Sequence, residues 1–147
     1  MRLILLLGLC IPFTVGAQSN CLLRLDKDSI RVYTCTPTKS KFKSIRTTFE
    51  VDGTLSELVA MVLDIDHYKA WQYKTISAKV LKKVSDQEVI YYTEVGAPIV
   101  TSNRDFVIRL TVHKPPMTKD MIIDAVSIPD YLPPAKNVVR VPYSVAR

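Results

Sequence analysis

The chain has 147 residues, 48% of them hydrophobic and 23% charged, the make-up of an ordinary soluble globular protein. It is long enough for one domain with one substantial core. Nine prolines against four glycines argue against a Gly-rich phosphate loop. The net charge of +6 comes without aromatic–basic interleaving, which favours anionic lipid surfaces over nucleic acid as a partner.

The first 17 residues, "MRLILLLGLCIPFTVGA", read as a cleaved signal peptide. Arg2 supplies the positive charge, an apolar run follows, and Val15-Gly16-Ala17 fits the cleavage site. The run falls short of the roughly 20 apolar residues that span a bilayer. Export to a periplasm or to the outside is therefore expected, with residues 18–147 as the mature domain. No N-x-S/T acceptor occurs, which suits a bacterial periplasm.

Export removes Cys10 and leaves Cys21 and Cys35. The segment between them reads as a hairpin: Leu22–Asp26, a three-residue turn at Lys27-Asp28-Ser29, then Ile30–Thr34. In that register Cys21 faces Cys35, and an oxidising compartment favours their disulfide. The chain-entropy model assigns such a loop around 3 kcal/mol. Next comes "KSKFK", whose Lys39, Lys41 and Lys43 form a dense basic patch suited to transient membrane contact. "KFKSIRTTFEV" alternates as a third strand.

The period then changes. Leu55, Leu58, Val59 and Val62 make a helical stripe behind a Thr54–Glu57 capping box, ending near Ile65. A short second turn carries "DHYKAW". Strands follow at 75–84, 88–96, 104–114 and 119–128, then a Pro-rich connection. The last segment, "NVVRVPYSVAR", is strand-like, and the chain stops inside it. More protein is expected to follow, because a naked last strand invites aggregation. The order predicts an α+β fold, a curved antiparallel sheet packed on one main helix.

In family order and spacing, "LDKDSIRVYT", "LVAMVLDIDHYKAW", "VIYYTEVGAPIVTSNRDFV" and "SIPDYLPPAKNVVRVPYS" cover residues 21–147. The set resembles the START domain (steroidogenic acute regulatory protein-related lipid transfer) of the Bet v 1-like helix-grip superfamily. The resemblance implies a helix-grip fold around a hydrophobic tunnel for one phospholipid, fatty acid or sterol-like ligand. Against this resemblance the fold is expected to lack the family's last strand and C-terminal lid helix. On this resemblance Phe49, Val59, Leu63, Trp71, Tyr91, Phe106, Ile108 and Leu110 are expected to line the tunnel. Trp71 fits equally well as plain core.

"TSNRDFVIRLTV" places Arg104, Phe106, Ile108 and Leu110 on one strand face and Asp105, Val107 and Arg109 on a more polar one. Arg104 at the mouth of an apolar face needs a partner. Glu94 is the expected one; the Arg104–Asp105 pair either anchors the "GAPIVTSN" loop or, with Glu94, holds a lipid headgroup. In lipid-transfer relatives the lipid-facing Arg lies farther along this strand, where this chain has Leu110.

Only two histidines occur, His67 and His113. With no H-E-x-x-H, no G-x-S-x-G and no metal-ligand spacing, no catalytic residue, cofactor or metal is expected. An empty apolar cavity costs about 24 cal/mol per Å³. A tunnel of a few hundred Å³ would then cost on the order of 7 kcal/mol unless filled. A monomeric binder is the reading that follows. A cavity enzyme of the superfamily (cyclase- or hydrolase-like) and a structural domain with a collapsed tunnel remain the alternatives.

Overall fold

In the computed structural model, residues 20–37 and 41–147 are described. The expected signal peptide and Lys39 lie outside the described residues. The chain divides into two units, Met1–Asp52 and Gly53–Arg147.

The first unit is a three-stranded antiparallel sheet of β1 (Asn20–Lys27), β2 (Ile30–Thr36) and β3 (Ser44–Thr48) in that order. The turn between β1 and β2 is one residue shorter than expected. Lys27 pairs with Ile30, and Asp28 and Ser29 take φ of 51° and 61°. Positive φ at both central residues is the type I′ geometry that matches strand twist. An irregularity between Leu23 and Leu25 then shifts the register by one. The two departures cancel, so Cys21 does face Cys35, with Cα atoms 4.0 Å apart and the disulfide formed. Phe49 lies just beyond β3 and is 57% exposed.

The second unit begins with α1 (Leu55–Leu63). Thr54 Oγ1 accepts from the Glu57 amide at 3.2 Å, and the Thr54 amide donates to Glu57 Oε2 at 2.8 Å. The capping box expected from the sequence is complete. One 3₁₀ turn (Ile65–His67) and the short α2 (Tyr68–Trp71) follow. The sheet runs β4 (Thr75–Ser85), β5 (Glu88–Val95), β6 (Asn103–His113), β7 (Ile122–Ser127) as a meander.

The final strand pattern breaks in two. β8 (Val138–Arg140) pairs parallel with β6, and β9 (Val145–Ala146) pairs antiparallel with β7. Pro142 lies between them and has no N–H for a ladder, so one continuous strand cannot form.

Register fixes the faces. Tyr91 pairs with Ile108 and Val89 with Leu110, so these four share the inner face. They form the core with Ile65, Tyr68 and Val112, and Val59, Val62, Leu63 and Phe106 pack against it. Among the described residues no helix is long and apolar enough to cross a membrane.

Candidate ligand-binding groove

α1 is a 9-residue helix with no buried residue. Val59, Val62 and Leu63 reach the core, whereas Leu55, Leu58 and Met61 stay 53%, 38% and 46% exposed. The helix therefore rests on the sheet by one edge and leaves a channel beside it. This groove of ≈ 500 Å³ is lined by Leu55, Ser56, Val59, Ala60 and Leu63 from α1, with Lys114, Lys119 and Met121. Those α1 positions recur every turn, so the groove follows the helix for about 12 Å at 1.5 Å per residue. Lys114 and Lys119 lie in the segment between β6 and β7. A smaller groove of ≈ 220 Å³ touches Leu63, Val80 and Val89.

The floor beneath α1 and α2 is aromatic. Tyr68 is 1% exposed and lies edge-on to Tyr91 and Trp71, with ring centroids 5.5 Å and 5.1 Å away. Its hydroxyl donates to the Val62 carbonyl of α1. Burial pushes the Tyr91 phenol up to about 12, an effect partly offset by the Tyr68 hydroxyl beside it. Burial raises Tyr68 further above its ordinary 10.

Six of the residues expected to line a tunnel meet in this region: Val59, Leu63, Tyr91, Phe106, Ile108 and Leu110. Tyr91, Ile108 and Leu110 are 6%, 5% and 3% exposed, so they are core wall rather than open surface. Trp71 is 46% exposed at the end of α2. Phe49 belongs to the first unit. The sequence reading did not single out Ser56, Ala60, Lys114, Lys119 or Met121. Nothing local marks them, since only the tertiary approach of the β6–β7 segment to α1 makes them neighbours.

Arg104 does not pair with the expected Glu94, and Asp105 has a partner the sequence did not suggest. Glu94 pairs in register with Asp105 and Val95 with Arg104, so Glu94 and Arg104 point to opposite faces. Glu94 accepts from Asn103 Nδ2 at 2.7 Å, and Arg104 donates to the Ser102 carbonyl. Asp105 is fully buried and held two-pronged by Arg140: Nε to Oδ1 at 2.9 Å and Nη2 to Oδ2 at 3.0 Å. Arg140 also donates to the carbonyls of Pro129, Leu132 and Pro133. The hydrogen bond to Asp105 leads in raising the Arg140 guanidinium above its ordinary value.

The clamp ties the Pro-rich segment down over β6. It seals the start of the outer face, where Asp105 and Val107 are both 0% exposed, although alternation alone made that face the polar one. An Asp whose flanking same-face positions, Asn103 and Val107, carry no cation was the signal that could have pointed to Arg140.

Comparisons with known proteins agree with this architecture. The protein PA1579 of Pseudomonas aeruginosa is 27% identical over 97% of this chain and 72% of its own length. The crystal structure of a STAR-related lipid transfer protein from Xanthomonas axonopodis superposes with TM-score 0.77 at 26% identity. That match covers 86% of this chain and 70% of that one. Human STARD10 shares the fold, with TM-score 0.65 at 24% identity over 82% of this chain and 49% of its own. A START domain profile matches residues 22–146, and the chain belongs to the START domain family with its α+β helix-grip fold.

Proposed function

We propose that this chain is an exported, non-enzymatic lipid carrier that holds one hydrophobic ligand, a phospholipid, fatty acid or sterol-like molecule, against the inner face of its sheet. The observation that carries the reading is the open apolar groove of ≈ 500 Å³ along α1. That volume lies within the usual range of small-molecule sites, roughly 300–1,000 Å³. Leu55 stands exposed on the groove wall, and burying a side chain of that size stabilises by about 1.5–3 kcal/mol. Family membership supports the same ligand class. The Cys21–Cys35 disulfide is compatible with export. Val59 and Leu63 are assigned to the ligand wall, with Tyr91, Phe106, Ile108 and Leu110 behind it. Trp71 and Arg104 are further candidate contacts, and Lys41 and Lys43 candidate membrane contacts.

A second reading draws on the tight burial of Tyr91, Ile108 and Leu110, which suits a domain whose tunnel is filled by its own side chains. Native mass spectrometry of protein purified from a periplasm separates the two. The carrier is expected to show one acyl or sterol-like ligand per chain, identified by lipid extraction. Folded protein that neither carries such a ligand nor takes one up from vesicles would overturn the carrier and favour the filled core.

A further inference from the structure

The α1 groove has one chemical asymmetry. Its α1 side is aliphatic except for the Ser56 hydroxyl, whereas the β6–β7 segment contributes two ammonium groups, Lys114 and Lys119. No carboxylate lines it. The nearest acidic side chain on α1, Glu57, is engaged by Thr54 through both its backbone and its hydroxyl. Those bonds hold the Glu57 carboxyl below its usual range. Among the described residues neither lysine forms an ion pair, although the exposed Lys27 and Lys83 both do. Two cations bordering an apolar stripe without an ion-pair partner there complement an anion carried on an aliphatic chain.

We infer that the groove selects amphiphiles with a single anionic headgroup, a carboxylate or a phosphate monoester, over neutral lipids and sterols. The tail lies along Leu55, Val59, Ala60 and Leu63, and Lys114 and Lys119 take the headgroup. The inference rests on the proposed carrier function and narrows its ligand. The tail term is non-directional and grows by about fourfold in affinity per buried methylene. The headgroup term is directional, depends on two exposed charges, and weakens with salt. The two terms can therefore be measured apart.

The test is binding of hexadecanoate, hexadecyl phosphate and hexadecanol, each below its micellar concentration, to the full chain by displacement of a fluorescent fatty alcohol. The wild-type protein is expected to bind both anions at least tenfold tighter than the alcohol, with the margin shrinking in high salt. In Lys114→Gln/Lys119→Gln the anions should fall to the alcohol's affinity while the alcohol is unchanged. In Ala60→Trp, which fills the groove, all three should weaken together. Preference for only one of the anions would name the headgroup and uphold the inference. Equal binding of all three, or an anion preference that survives in the double variant, would overturn it and leave the carrier function standing. Failure of every amphiphile to bind would overturn both.

Discussion

The charges on the outer face of β6 and those just beyond its end follow opposite rules. On the outer face Asp105 is fully sealed, with both oxygens engaged by a guanidinium whose remaining donors reach three carbonyls. On the inner-face side, beyond the strand's end, Lys114 and Lys119 border the groove with no carboxylate among its lining. A buried charge with every partner in place belongs to the architecture. Charges left at the rim of an apolar channel remain available to a ligand. The Arg-Asp pair that attracts notice in the sequence thus belongs mostly to the first kind, while the second kind sits in an unremarkable loop.

Arg140→Met should break that contrast most sharply. It leaves the Asp105 carboxylate buried without its partner, a change that costs about 3–5 kcal/mol when a buried ion pair loses one member. A large drop in urea midpoint is expected, with part of it regained in the double variant Asp105→Leu/Arg140→Met. Where the single variant still folds, amphiphile binding on the opposite face should stay near wild type. Loss of binding in the regained double variant would show that the two faces are coupled.

The inner face carries its own titration. Tyr91 keeps its proton to about pH 12, whereas an unfolded tyrosine loses it near 10. Between those values the folded chain holds a proton that the unfolded chain has released, so stability falls as pH rises from 10 to 12. The full gap is worth on the order of 3 kcal/mol. Ultraviolet absorbance of tyrosinate should show a late phase in which Tyr68 and Tyr91 ionise only as the chain unfolds. Tyr91→Phe should flatten the alkaline limb of the stability profile. An unchanged limb would place the sensitivity elsewhere.

What the sequence made legible follows from how local each signal is. The capping box and the alternation of β6 depend on neighbours within a few residues and appear where expected, and the β4–β5 turn forms one residue shorter than expected. The Cys21–Cys35 contact was reached through two compensating differences, a shorter turn and a register shift at Leu23 and Leu25. Asp105–Arg140 spans 35 positions, and the lysines meet α1 across more than 50. Neither spacing carries a period that a pattern could reveal. Burial of Asp105 and Val107 depended on where the Pro-rich segment lay, so alternation assigned them to the wrong environment.

The smallest expected effect tests how loosely α1 is held. A 9-residue helix is below the length at which helices persist alone in water, about 12–15 residues. α1 buries none of its side chains fully, so its ends matter more than in a core helix. Thr54→Ala removes the Oγ1 that accepts from the Glu57 amide, at a cost of about 1 kcal/mol. Hydrogen exchange should then quicken by about fivefold in α1 amides. Amides of β5 and β6 should be unaffected, because the outer clamp and the sheet ladder do not depend on the cap. Thr54→Ser should restore protection, since it keeps the accepting oxygen. Equal quickening in α1 and β6 would mean that the groove wall and the sealed strand open as one unit. Quickening confined to α1 would make the wall a hinge, able to widen for a ligand while the clamp keeps the sheet intact.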